Sequence, residues 1–520
     1  MKRAPLAVAL VVAAALILAP AASAIDKVKT GQLRKLVTVD GILEHERALQ
    51  DIALANDNTR LAGSPGNDAT VQYIANRMRR AGYRVSLVPF DFATWEKLGP
   101  STLERTTPAP KTWTEDTDYV VSQFSASGDV TGNVFVAGNT VVPPPGGAGT
   151  SVSGCDPADF NGMPAGSVAL IQRGTCPFTQ KYQNAADAGA VAALIFNDGF
   201  EGREEPLFIT APQNMPIPAA MTSNDVGEEL YNQAQSGPVT VHVVVNAKTT
   251  PVELNNVIAD TPSGDKDRTI VVGAHSDSVE AGPGINDDGS GTSTQLDTAE
   301  AIMKLDQKPR NRIRFAWWNA EEEGLVGSTA YVQQLVDSGK ISQIEANLDY
   351  DMLASPNYVR FVYDGDTSDT APPPGGAPNG SGQIEKLYLR YFDKHGMATL
   401  PTAFDGRSDY GPFIAQGVPA GGIFTGAEGI KTPEQEDIFG GVAGMQYDPC
   451  YHAACDTFFN LNHQALDEMG DAAAHAVWVL ARSKTPVTQA QGAKATKKSK
   501  KSRKAKRAKS LRFQGPFRVR

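Results

Sequence analysis

Residues 269–292, TIVVGAHSDSVEAGPGINDDGSGT, decide how the rest of the chain is read. Thr269, Ile270, Val271 and Val272 form a short β-branched run closed by Gly273, the pattern of a buried strand. His275 and Asp277 follow at once, then a glycine-rich turn, then Asn286, Asp287 and Asp288. From Gly289 onward the chain turns helical, with Leu296, Ala299, Ile302 and Met303 on one stripe. Strand, polar loop and helix make an α/β unit, and open α/β sheets place their sites where loops leave the carboxyl ends of strands. An imidazole and a carboxylate twelve residues apart on a glycine-held loop suit a metal site. The competing reading is a surface loop rich in Asp and Gly.

Working outward, residues 43–55 have helical apolar spacing and 60–66 read as a turn. Val71, Ile74, Ala75 and Met78 form a second helical stripe that Gly82 ends, and 83–88 alternates as a half-buried strand. Residues 96–250 are rich in Gly, Pro, Val and Thr, with strands expected at 119–122, 133–136, 167–171 and 239–245 and a helix at 182–189. A β-rich module thus interrupts an α/β domain that resumes near Val257. Downstream, 313–318 and 347–352 read as strands. Helices pass through Tyr331 and Leu335 and cover 384–392 and 465–480, and 366–382 is a Pro/Gly loop.

A chain of 520 residues with 41% hydrophobic content has material for two to four domains. Residues 1–24 have a basic start, a short apolar run and a small-residue cleavage site, which reads as a secretory signal removed after Ala24. No other stretch is apolar enough to span a bilayer, so the mature protein is expected outside the cell. In that compartment four cysteines suggest disulfides, and Cys155 with Cys176 and Cys450 with Cys455 is the simplest of three pairings. The net charge of −10 conceals a basic tail, with thirteen Lys or Arg and no acid between Lys494 and Arg520, on an acidic body. The tail is too charged and too poor in hydrophobes to fold alone. It reads as a solvated end or as an electrostatic tether to an anionic cell envelope; export disfavours a nucleic-acid partner.

The ends of successive strands carry His275, Asp277, Asp287, Glu321, Glu322 and Asp351, and Tyr451 and His452 stand between the second pair of cysteines. Two imidazoles and several carboxylates are the N/O donors that zinc accepts. The segments GAHSDS (273–278), INDDGSG (285–291), WWNAEEEG (317–324), LDYDM (348–352), DGRSD (405–409) and CYHAACD (450–456) resemble, in order, peptidase family M28 of two-zinc metallopeptidases. Residues 128–245 resemble a protease-associated (PA) domain, above all at 166–198.

The resemblance implies an α/β fold, a mixed central β-sheet flanked by helices, with an inserted β-rich PA-like domain. The chain then divides into a signal peptide (1–24), a first peptidase part (25–110), the insert (111–250), a catalytic part (251–484) and the tail (485–520). By the same resemblance His275 and Asp351 bind one zinc, Glu322 and His452 the other, and Asp287 bridges both. Glu321 is the general base, since the family spacing A-E-E-x-G leaves Glu323 as the variable third glutamate. Asp277 orients His275, Tyr451 donates to the oxyanion, and Arg407 holds the substrate's N-terminal end. Met352 and Phe424 match pocket positions, which implies a large apolar N-terminal residue. The disulfide Cys450–Cys455 clamps the loop of Tyr451 and His452.

The expected activity is that of a secreted, zinc-dependent aminopeptidase acting on peptides as a monomer. Two rivals are a single-zinc glutaminyl cyclase and a non-catalytic PA-type binding protein. Asp288 reads as an ordinary turn residue, and His242, His395, His463 and His475 as solvent or core histidines. Asp467 and Asp471, one helical turn apart, are a calcium site in some relatives, but a plain acidic helix face is the simpler reading.

Overall fold

The computed structural model describes residues 25 and 27–489, except Glu201, Phe208, Asn214 and Pro374. The expected signal peptide, and the basic tail from residue 490 on, lie outside the described residues. Two eight-stranded sheets organise the chain. The first holds β1 (Arg84–Lys97), β2 (Ala247–Asp260), β3 (Asp265–His275), β4 (Asn311–Trp318), β5 (Ile344–Tyr350), β6 (Phe361–Tyr363), β7 (Leu400–Thr402) and β8 (Ala420–Phe424). Their order is β1-β2-β4-β3-β5-β8-β6-β7. β3 is parallel to β4 and β5, and β5 to β8, while β1 with β2, β2 with β4 and β6 with β8 are antiparallel. The sheet is therefore mixed, as the resemblance implied.

Six helices matter to the site: α1 (Val39–Leu54), α2 (Pro65–Ala81), α3 (Gly289–Met303), α4 (Val326–Asp337), α5 (Ser381–Lys394) and α6 (His463–Arg482). Alternation along β3 sets the layers. Ile270 and Val272 face a core shared with α1, α2, α3, α5 and α6, whereas Val271 faces Tyr331, Val332 and Leu335 of α4. A strand buried on both faces needs an unbroken apolar run, which is why TIVV is legible in the sequence. Ser64 caps α2 by accepting a hydrogen bond from Asn67 N, Pro65 fills its first turn and Gly82 ends it at φ +95°. Gly291, in the first turn of α3, has no room for a side chain: a Cβ there would lie 1.8 Å from the carbonyl oxygen of Tyr350. That close approach seats the start of α3 against the end of β5.

The second sheet contains Lys111–Trp113, Thr102–Thr107, Thr240–Val245, Gly128–Val136, Val168–Gln172, Ala192–Phe196, Ala219–Thr222 and Tyr119–Val121, in that spatial order. It begins with Thr102, upstream of residue 111. The strand expected at 83–88 is longer than its sequence pattern: β1 runs to Lys97 and pairs with β2 from Arg84↔Asp260 to Lys97↔Ala247. Pro89 and the polar outer positions weaken its local signal, and β2 supplies the missing partner. This hairpin sets the entry and exit of the insert side by side. Phe124, Ile209 and Met215 of the insert pack with Phe90, Phe92, Leu254 and Ala320, so the insert rests on the peptidase body.

Some elements were not anticipated. β6, β7 and β8 span three to five residues, too few for a period to register. The helix Asn224–Ala234 is announced only by its cap, Ser223 accepting from Val226 N.

The structure pairs Cys155 with Cys176 and Cys450 with Cys455. The first closes a loop of 21 residues. By loop entropy it contributes about 3 kcal/mol. Replacing Cys155 and Cys176 together by serine is expected to lower stability by that amount, read from urea unfolding, with kcat on an aminoacyl substrate little changed. Among the described residues no helix is long and apolar enough to cross a membrane.

Candidate metal centre

Parallel register builds the site. His275 ends β3 opposite Trp318 at the end of β4, and Gly273 lies opposite Asp349 of β5. His275, the NAEEEG loop after β4 and Asp351 after β5 therefore emerge at one edge of the sheet. His275 Nε2 lies 3.1 Å from Asp287 Oδ1 and 3.8 Å from Asp351 Oδ1. On the other side His452 Nε2 lies 3.3 Å from Asp287 Oδ2 and 3.0 Å from Glu322 Oε2. Asp287 thus stands between two halves, one with His275 and Asp351, the other with Glu322 and His452. The structure brings all five expected ligands together.

The remaining expected residues surround them. Asp277 Oδ1 lies 3.6 Å from His275 Nδ1, and the two Asp277 oxygens accept from Glu321 N and Glu322 N at 3.2 Å each. One carboxylate therefore lies beside the histidine ring and fixes the loop of both glutamates. Glu321, Met352, Phe424, Arg407 and Tyr451 line a cavity of about 450 Å³ over the cluster. Tyr451 stacks on His452 with ring centroids 3.9 Å apart, between the paired Cys450 and Cys455. Met352 is held at φ +60° by donating from its N to Asp288 and accepting at its carbonyl from Thr425. Arg407 pairs with Glu428 at 3.3 Å.

Burial and the attraction between acids and imidazoles set the charge in the cluster. Burial raises the carboxyls of Glu321 and Glu322, and it lifts Asp351 to about 6. Burial also disfavours a charged His452, but the carboxylates of Glu322 and Asp287 outweigh it and push the imidazole up to about 11. Asp287 is held below the usual carboxylate range, against burial, by His275 and His452. A divalent cation bound among these carboxyls and imidazoles would favour their deprotonated forms. The fit to a metal also rests on geometry: Glu322 Oε1 and Asp351 Oδ1 are buried without hydrogen-bond partners. His275, Asp287 and Glu322 offer donor atoms within 4.8 Å of one another, as do His275, Asp288 and Asp351. Imidazole nitrogen with carboxylate oxygen is a zinc donor set.

Asp288 is not an ordinary turn residue. It is fully buried, and its carboxylate accepts from His275 N at 3.1 Å, Gly291 N at 2.8 Å and Met352 N at 3.1 Å. It ties the end of β3, the start of α3 and the segment after β5 into one unit. The repeated Asp287–Asp288 was the available signal, but which of the two faces inward is a tertiary matter. Asp471 is engaged by Arg34 at 2.7 Å, which favours the acidic-helix reading over calcium.

Sequence reasoning passed over two supports. Asp456 accepts from Asn286 N and Asp287 N at 2.9 and 3.0 Å, holding the metal loop from the far end of the chain. Arg60 is fully buried and donates to the carbonyls of Ser276, Pro283 and Gly284, closing the loop between His275 and Asp287. Lysine at that position would keep the charge but lose the planar fork. Arg60→Lys is expected to cost about 3 kcal/mol because it leaves two buried carbonyls unpaired. Urea unfolding measures this, and kcat falls with it as the loop loosens.

Known proteins resemble this chain in sequence and in fold. The sequence profile of peptidase family M28 matches residues 256–477, and that of the PA domain matches 130–230. An aminopeptidase of Pseudomonas aeruginosa is 42% identical over 445 residues, covering 85% of this chain and 81% of that one. A probable lipoprotein aminopeptidase of Mycobacterium tuberculosis is 39% identical, with 86% of each chain covered. A probable leucine aminopeptidase 2 of Aspergillus oryzae is 37% identical, covering 85% and 84%. Among solved structures, an aminopeptidase from Aneurinibacillus sp. strain AM-1 superposes with a TM-score of 0.67 at 26% identity, covering 88% of this chain and 97% of that one. A zinc aminopeptidase from Bacillus subtilis shares the fold, with a TM-score of 0.57 at 23% identity over 87% and 98%.

Proposed function

This chain belongs to peptidase family M28 and is an aminopeptidase; from that premise we propose that it holds two zinc ions and removes large apolar residues from the N-termini of peptides outside the cell. The observation that carries the reading is Asp287, whose two oxygens each reach a different histidine. His275 and Asp351 would hold one ion and Glu322 and His452 the other, with Asp287 available to both. When bound, the pair supplies positive charge that acidifies water and polarises the scissile carbonyl.

The chain's own residues do the rest. Glu321, at the cavity wall beside Glu322, takes the proton of the attacking water and returns it to the leaving amine. Tyr451, fixed by its stack on His452, donates its hydroxyl proton in a hydrogen bond to the oxygen that gains charge. A guanidinium repels an α-ammonium, so Arg407 serves the substrate's N-terminal end through Glu428, whose Oε2 is buried and unpaired. Met352 and Phe424 give the first side chain an apolar wall. Two disulfides support the oxidising, extracellular compartment.

The test is hydrolysis of leucyl p-nitroanilide by the zinc-loaded chain, beside lysyl and glutamyl substrates, with N-acetyl-leucyl p-nitroanilide as control. The reading requires preference for leucyl, no cleavage of the blocked substrate and two zinc per chain; one zinc per chain points instead to a cyclase-like centre. Full activity after complete removal of metal overturns it.

A further inference from the structure

We propose that the insert sets the position of the catalytic loop, with Gln123 and Glu323 acting as positioning residues for Glu321. The inference rests on Glu321 being the base. The loop 319–325 carries three consecutive glutamates in three different surroundings. Glu321 lines the catalytic cavity, and Glu322 reaches His452 at 3.0 Å. Glu323 is buried, with 8% of its surface exposed, and hydrogen-bonds the side chain of Gln123 in the insert. Burial raises its carboxyl to about 8, and that hydrogen bond opposes the rise.

The rest of Gln123 is fixed within the insert. Its N donates to the carbonyl of Ile209 and its carbonyl accepts from Ala211 N, both at 2.9 Å. Its amide oxygen accepts from Thr210 Oγ1 at 3.1 Å. With the oxygen so engaged, the NH2 group of the amide is the end that serves a carboxyl. The next two residues fasten the same segment to β1. The Phe124 ring meets Phe92 edge-on with centroids 6.2 Å apart, and the carbonyl of Ser125 accepts from Trp95 Nε1 at 2.9 Å.

The catalytic loop has a backbone that needs such support. Ala320 and Leu325, near its two ends, adopt φ +58° and +60°. Residues with side chains hold left-handed conformations when their surroundings over-determine them. Ala320 is fully buried in the core that Phe124, Ile209 and Met215 of the insert share, and Val326 and Ala330 at the start of α4 pack against it. Within the peptidase body, Asp277 accepts from Glu321 N and Glu322 N. The loop is thus held by a carboxylate of the body and by an amide of the insert. Glu322 has His452 to fix it as well, whereas Glu321 is not a metal ligand, so slack in the loop falls on the base. Displacing a catalytic group by about 1 Å costs up to about 10²-fold in rate.

The experiment measures kcat, KM and bound zinc on leucyl p-nitroanilide for the full zinc-loaded chain. Its variants are Gln123→Leu, Glu323→Leu, the two combined, and Glu323→Gln, with Glu321→Gln as the reference. Gln123→Leu and Glu323→Leu are each expected to lower kcat by about tenfold, with KM within about twofold and two zinc per chain. The double variant falls no further than either single one, because both break the same contact. Glu323→Gln keeps a partner for the Gln123 amide and stays within about twofold of wild-type kcat. A wild-type kcat in Gln123→Leu, multiplied losses in the double variant, or loss of zinc in either single variant overturns the proposal. Glu323→Leu and Glu323→Gln leave the insert's sequence intact, so equal kcat in those two overturns it even where Gln123→Leu does not fold. A fully active Glu321→Gln defeats the reading of the base itself. An impaired Glu321→Gln beside an unaffected Gln123→Leu defeats this proposal alone.

Discussion

Glu321→Gln is expected to lower kcat on leucyl p-nitroanilide by about 10³, within the range general acid–base groups contribute, while bound zinc and the unfolding midpoint stay at wild-type values. Glutamine keeps the size and the hydrogen-bonding oxygen of the side chain but cannot take a proton. The Asp277 carboxylate holds the loop through the backbone N–H groups of Glu321 and Glu322, which the substitution leaves in place. Glu322, the neighbour whose Oε2 reaches His452, is untouched. The loss therefore belongs in kcat rather than in metal content or KM. Glu322→Gln, by contrast, is expected to cost metal first. A Glu321→Gln enzyme within tenfold of wild-type kcat would remove this residue from the proton-transfer role. A Glu321→Gln enzyme that loses zinc would show that the two glutamates have exchanged parts.

Asp287→Ala should have the larger effect on kcat/KM, on the order of 10⁴ or more, because it strikes both halves of the centre. Its oxygens stand 3.1 Å from His275 and 3.3 Å from His452, so one truncation removes a donor from each. Bound zinc is expected to fall from two per chain to one or fewer, measured by elemental analysis on the purified protein. The fold is expected to survive. The backbone N–H of Asp287 still donates to Asp456, and Asp288 still gathers His275, Gly291 and Met352. Unchanged zinc content in Asp287→Ala would refute the shared-ligand arrangement. A matching loss of stability would mean that the carboxylate holds the loop rather than the metal.

The contrast between Asp287 and Asp288 marks the boundary of what the chain discloses on its own. By itself the sequence determined the α/β frame, because β3 must be apolar on both faces and α2 and α3 must carry stripes. The expected donor residues were legible in order as well, through the resemblance of the motifs that carry them to peptidase family M28. The hairpin of β1 and β2, the short strands β6 to β8 and the supports Arg60, Asp288 and Asp456 were decided only by the tertiary structure. Each of these depends on a partner far along the chain: a strand long enough only because another lies beside it, a guanidinium buried only because three carbonyls from 216 to 224 residues away turn toward it. Local periodicity records which face of an element is apolar, whereas a buried polar group is made tolerable by neighbours that no local window contains.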